Sequence, residues 1–263
     1  LLPIIVVLLL TLMTWRVIWL CLGVNLEVIL VPLLAWFGRE AERRVANGPQ
    51  LSGRAACGTR ELSWNREQVL SARRFFALLP GLLAPPFIMT GVLFHQVHLV
   101  EITGWALTEF GACYLLYAGT ATAVSLGCGS FVDRYRSSAL LPVYLVPLGL
   151  GLALLAGTSS IFAGAVFMML MGATAGGATI VLGALWAEMY GTDHLGAIRS
   201  VATVLVVFAT AIAPGVMGWL LDQGVGLDWQ LAVMAGYTLA CAFWFALLRP
   251  TISSQCPEAE MRS

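Results

Sequence analysis

Eight long apolar runs follow one another along the chain, and that alone settles most of what it can fold into. A helix needs about 20 mostly apolar residues to cross the hydrocarbon core of a bilayer. Read by length and hydropathy, the runs are a partial span at 1–14, then 17–37, 75–99, 107–131, 137–157, 161–187, 199–221 and 229–248. Prolines and glycines inside them do not exclude a helix, because neighbouring helices can satisfy the backbone groups they free. The expected fold is all-α, a polytopic transmembrane helix bundle with the lipid bilayer as its solvent.

Composition agrees. Only 11% of the residues are charged, against about 25% in a soluble domain, too few to build a water-solvated surface. The net charge is zero at pH 7, so no global field draws nucleic acid. Cys21, Cys113, Cys128 and Cys241 lie in apolar runs and Cys57 and Cys256 in polar segments. None has metal-ligand or C-x-x-C spacing, and small apolar filling is the simpler reading. There is no G-x-S-x-G, P-loop or H-E-x-x-H, and Gly149-Leu150-Gly151 is enclosed in a hydrophobic span with no phosphate to cradle. The expectation is a protein that is not an enzyme, with no catalytic residues, no cofactor and no metal.

Successive spans alternate direction, which turns the loops into a test of orientation. Segments 38–74, 132–136, 188–198 and the tail from 249 share one side. Segments 15–16, 100–106, 158–160 and 222–228 share the other. The 38–74 loop is arginine-rich but long, so it is discounted. Among the short segments, Arg134, Arg136, Arg199, Arg249 and Arg262 fall on the first side and only Arg16 on the second. By the positive-inside rule the first side is cytoplasmic, together with the C-terminus. A plasma (inner) membrane location is expected.

The chain begins Leu1-Leu2-Pro3 with no basic flank before the first apolar run, which does not fit a signal peptide. The expectation is entry in the middle of a membrane helix, with upstream residues missing. Segment 38–74 is the one sizeable soluble piece, and it is too short for a catalytic domain. From Ser63 it reads either as a short interfacial helix feeding the next span or as a solvated linker.

The most specific local signal is Gly129-Ser130-Phe131-Val132-Asp133-Arg134-Tyr135-Arg136, at the turn between two spans. An Asp-Arg pair there can cap a helix and form ion pairs that break when helices move, and Gly129 permits close backbone approach. An ordinary basic turn would read the same way. This stretch resembles the signature G-x-x-x-D-R-x-G-R of the major facilitator superfamily, in its second-half position. Arg136 stands where the pattern has its second glycine, and Ser137 where it has the following arginine.

A second stretch is similar to the tenth-to-eleventh helix region of that superfamily. It comprises Trp186-Ala187-Glu188-Met189-Tyr190-Gly191, Gly196-Ala197-Ile198-Arg199, Ala213-Pro214-Gly215 and Gly218-Trp219-Leu220-Leu221-Asp222. The entry Trp64…Val69-Leu70…Phe75 is similar to that of monocarboxylate-type and oxalate–formate-type porters.

The resemblance implies a domain plan. Residues 1–37 are the last one and a half helices of a first half, 38–74 the central cytoplasmic loop, 75–248 a complete second six-helix half, and 249–263 a cytoplasmic tail. It implies a charge network that latches one transport state at the cytoplasmic gate, carried onto Gly129, Asp133, Arg134, Glu188 and Arg199, with Arg136 as a further member.

Glu27 is the costliest residue in the sequence. It lies near the middle of the 17–37 span, where a charged group costs about 3 kcal/mol or more unless paired, hydrated or protonated. With Asn25 it is a candidate for the substrate or proton pathway. A protonated Glu bonded between helices, or one facing a partner in the missing half, is the alternative.

Phe94-His95-Gln96-Val97-His98 ends the 75–99 span at its outer side. His95 and His98 share a helix face and could hold a metal, but no Cys or carboxylate nearby completes a set. A gate or substrate contact made by His95, Gln96 and His98, with Glu109, is one reading; interfacial polar residues without a specific role is another. Pro80, Pro85 and Pro86 in the same span predict a kinked, mobile helix. Gly172, Gly176, Gly177 and Gly183 predict close helix packing.

The function expected from these readings is secondary active transport of a small organic anion by alternating access, with protons as a coupling ion. The partners are the small-molecule substrate, the bilayer and the missing N-terminal half. An intramembrane enzyme using Glu27 or the histidines, or a non-transporting sensor on a transporter fold, are the rivals.

Overall fold

A computed structural model of the chain describes residues 14, 16–17, 20–21, 23–33, 73–134, 137–190 and 195–253. The expected partial span at 1–14 falls outside the described residues but for its last residue. So do nearly all of the 38–74 loop, Arg136 and the tail beyond 253. The chain divides into two units, Leu1–Arg60 and Glu61–Ser263. In the first, the apolar helix α1 (Gly23–Leu33) lies within the expected 17–37 span, and each of its residues is exposed.

The second unit holds α2 (Arg73–Phe94), α3 (Gln96–Thr103), α4 (Leu107–Arg134), α5 (Ser137–Gly157), α6 (Ile161–Tyr190), α7 (Leu195–Asp222) and α8 (Leu227–Ser253). All but the short α3 are long and apolar enough to cross a membrane. Among the described residues there is no strand. The six spans expected between 75 and 248 are all present as helices.

Their bounds differ where hydropathy and backbone geometry part company. Helix α7 starts at Leu195 rather than 199, and α8 runs past Arg249 and Pro250 to Ser253. Hydropathy reports the length inside a bilayer, whereas the hydrogen-bond ladder continues into the polar flank. The 75–99 span is divided at His95, which steps off helical geometry at φ −91°, ψ 16°.

Two tight turns close the end of the unit opposite the arginines. Gly104 ends α3 in the left-handed region at φ 73°, and Trp105 donates its amide back to Val100 O at 3.1 Å. Gly224 repeats this after α7 at φ 81°, with Val225 N bonding Leu220 O at 3.0 Å. Only glycine takes that backbone without a Cβ penalty.

Packing is centred on α6, which lies against α4 and α5; α8 packs on α5, and α7 on α2. Helices α4 and α6 approach most closely at Gly172 and Gly176, where a Cβ would run into the carbonyls of Tyr117 and Ala121. Ser125 donates its hydroxyl to Gly176 O at 3.3 Å across the same seam. The packing role expected of these two glycines holds. Among the described residues, only the Arg199 guanidinium lies near the face of Gly183, at ordinary contact distance.

The buried core falls into two clusters along the helix axes. One gathers Ala84, Ile88, Val92, Leu148, Leu152, Phe167, Met168 and Met217. The other gathers Phe75, Leu78, Leu82, Leu141, Leu145, Val181, Leu185 and Phe245.

Candidate functional site

The candidate residues of the second unit fall at its two ends. At the end opposite the arginines, His95 stands at the joint between α2 and α3. Its Nδ1 lies 2.9 Å from Gly91 O, and because a carbonyl only accepts, Nδ1 carries the proton of this bond. Nε2 is thereby left facing α7, 3.5 Å from where a Cβ on Gly218 would sit. Gln96, the next residue, accepts the Tyr114 hydroxyl on its Oε1 at 2.5 Å, tying α3 to α4.

The other two candidates at this end stand apart from that bond. His98 is half-buried in α3. Glu109 is exposed in the first turn of α4, where a carboxylate complements the helix N-terminus. The structure thus joins Gln96 to Tyr114 and sets His95 against α7. Among the described residues, no His, Cys, Asp and Glu side chains gather in a set of three that could hold a metal.

Tyr114 was not among the residues singled out from sequence. Its signal was available, since a tyrosine well inside an apolar span needs a partner for its hydroxyl. Gln230 is a second such residue. It is buried at the α7–α8 turn, where its Nε2 donates to Met217 O at 3.3 Å and Val225 O at 3.0 Å.

At the arginine-bearing end, Glu188 and Arg199 each bind the backbone of a neighbouring helix. The Ser137 amide, at the start of α5, reaches both Glu188 oxygens at 3.1 Å, and the Ser137 hydroxyl reaches one at 2.6 Å. The first amides of a helix have no partner within it, and a carboxylate placed there satisfies them and complements the dipole. Ser137 occupies the place where the resembled motif has an arginine, and its amide and hydroxyl are bound there by the Glu188 carboxylate.

Arg199 donates from a terminal guanidinium nitrogen to Gly183 O of α6 at 2.6 Å. Asp133 and Arg134 close the last turn of α4, and Arg136 lies outside the described residues. Beside Gly129, a Cβ would meet open space among the described residues, so the close approach expected there is not made by them. Asn25 and Glu27 belong to the other unit and are both exposed on α1.

Six apolar, span-length helices around a buried seam, with the candidate residues at their ends, define a polytopic α-helical membrane protein. Residues 86–261 match the Major Facilitator Superfamily, two thirds of the chain and everything from the middle of α2 onward. The chain belongs to that superfamily, whose general activity is transport across membranes. Among curated proteins, none matches it.

Proposed function

We propose that the protein is a secondary active transporter that moves a small organic anion, of the monocarboxylate or oxalate–formate kind, by alternating access with proton coupling. The observation that carries this reading is the bareness of α4 and α7. Along residues 107–129 only Phe110 and Cys113 are buried, and α7 buries only Ile198, Ala213 and Met217. A second helix bundle facing these two flanks encloses a path between them, with His95, Gln96 and Tyr114 toward one mouth and Glu188 and Arg199 toward the other. In this reading residues 1–37 are the last helices of one half of the protein, 38–74 the connecting loop and 249–263 a cytoplasmic tail.

Glu27 is the proton-accepting carboxyl, with Asn25 beside it, while His95, Gln96, His98 and Glu109 contact the entering solute. Gly129, Asp133, Arg134, Arg136, Glu188 and Arg199 form the cytoplasmic gate. The arginine-bearing end faces the cytoplasm across the plasma (inner) membrane, following the arginine bias of the short loops. Uptake of labelled carboxylates into proteoliposomes tests the reading, with Glu27→Gln expected to uncouple uptake from the pH gradient. A Glu27→Gln protein with unchanged uptake and unchanged pH dependence removes Glu27 from the pathway.

A further inference from the structure

Gln96 opens α3 directly after the break at His95, and the two neighbours turn to different helices: His95 to Gly218 of α7, Gln96 to Tyr114 of α4. Glutamine carries an acceptor at one end of its amide and two N–H donors at the other. The Tyr114 hydroxyl donates to the Oε1 end at 2.5 Å. The Nε2 end has no partner among the described residues, and it is not buried. What the half-buried Gln96 shows to its surroundings is therefore a pair of donors.

The hydroxyl that sorts the amide in this way is itself held. The Tyr114 ring meets the buried Phe110 edge-on at 6.3 Å between centroids, and Phe110 stacks on Trp105 at 5.7 Å. Trp105 Nε1 in turn donates to Ser159 O, in the turn between α5 and α6, at 2.6 Å. Three packed rings thus hold the Tyr114 hydroxyl in place, and the Oε1 end of Gln96 with it.

Charge shows what these donors are for. The sequence has no lysine or arginine from Phe75 to Val132, from Ser137 to Ile198 or from Ser200 to Leu248. Glu101, Glu109, Asp222 and Asp228 stand at the same end as Gln96, all four exposed, where salt screens them beyond about 8 Å. An anion that reaches this end meets no fixed cation of the second unit. The open donors of Gln96 act on it at contact instead.

We propose that Gln96 recognises the solute at the end opposite the arginines and that Tyr114 is its positioning residue. With the acceptor end of the amide occupied, the two free donors select a carboxylate, which only accepts hydrogen bonds, over an ammonium, which only donates them. The proposal rests on the transport reading for the meeting of solute and site.

Butyrate and butylammonium, nearly equal in size and opposite in charge, are the probes that test this. Their binding to the full chain in nanodiscs is measured by isothermal titration calorimetry, and their uptake into proteoliposomes in parallel. Butyrate is expected to bind the wild type about tenfold more tightly than butylammonium. Gln96→Glu keeps an acceptor for Tyr114 but replaces the donors with a second acceptor, and is expected to reverse the order. Tyr114→Phe keeps the ring and frees the amide to turn, and is expected to cut the preference about fivefold.

Equal binding of both probes by the wild type, or binding of neither, overturns the proposal, whether or not the variants fold. Variants that weaken both probes alike overturn it too, because a merely structural contact acts without regard to charge. A preference that Gln96→Glu reverses and Tyr114→Phe leaves intact overturns the positioning role. A preference that follows both variants in a protein that takes up neither probe keeps the recognition and removes the transport reading. Uptake of butyrate with a preference indifferent to both variants does the reverse.

Discussion

The Glu188 carboxylate of α6 holds the first residue of α5: the Ser137 amide reaches both of its oxygens at 3.1 Å and the Ser137 hydroxyl one of them at 2.6 Å. The two residues lie 51 positions apart, so the contact fixes the ends of adjacent helices to one another. Replacing a capping partner costs about 1 kcal/mol. Glu188→Ala is expected to lower the midpoint of thermal unfolding in detergent, and Ser137→Ala to lower it less, because the backbone amide bond survives. Equal midpoints for Glu188→Ala and wild type would show that the cap is not held in solution.

The α4–α6 seam gives a sharper contrast. Gly172 and Gly176 leave no room for a Cβ, whereas Gly111 and Gly119 on α4 face open space. Overpacking a tight contact costs about 1–3 kcal/mol. Gly176→Val is expected to reduce the folded yield in fluorescence-detected size exclusion, while Gly119→Ala leaves it unchanged. Matching profiles for the two would sink this account of the seam.

Tyr144 and Pro85 are coupled through one carbonyl, that of Gly81, to which the Tyr144 hydroxyl donates at 3.2 Å and on which Pro85 cannot close. Tyr144→Phe leaves Gly81 O buried without its donor, a loss of about 1–3 kcal/mol. Pro85→Ala supplies the missing amide from within the helix. Tyr144→Phe should therefore cost less in the Pro85→Ala background, read as a non-zero coupling in a double-mutant cycle of thermal midpoints. Strict additivity would mean that the hydroxyl does not serve the carbonyl that proline frees.

Among the described residues, the Gln96–Tyr114 bond is the one side-chain hydrogen bond between α3 and α4, and Tyr114→Phe removes it without altering the ring. A neutral hydrogen bond contributes about 1 kcal/mol. Tyr114→Phe and Gln96→Ala are expected to weaken solute affinity alike, seen in the KM of uptake, and the double variant to be no worse than either. Additive losses would mean that the two residues act separately.

Most of the fold was legible because crossing a bilayer is a demand that composition and run length can express. The apolar runs between 75 and 248 marked each of the six helices. Turn glycines such as Gly104 and Gly224 sit in the short polar gaps between those runs. Cross-helix partners were not legible in the same way. Glu188 stood out as a charge at a span end, but the serine on another helix that binds it did not.

Tyr114 and Tyr144 each carry one hydroxyl in an apolar run, and nothing local says which helix will take it. The polar His95-Gln96 pair was visible near the end of the run, but nothing local says that the helix breaks there, with the ring turned back onto Gly91 O. Pro80, Pro85 and Pro86 were visible as helix breakers, but only the packed structure shows which side chains supply the donors at that stretch.

The most direct test of transport is solute uptake by the full-length polypeptide in proteoliposomes carrying an imposed pH gradient. The account predicts that at least one small carboxylate accumulates, that a protonophore abolishes the accumulation, and that Glu27→Gln exchanges the solute without responding to the gradient. A correctly folded, reconstituted protein that moves no carboxylate in either direction, with or without the gradient, would contradict it.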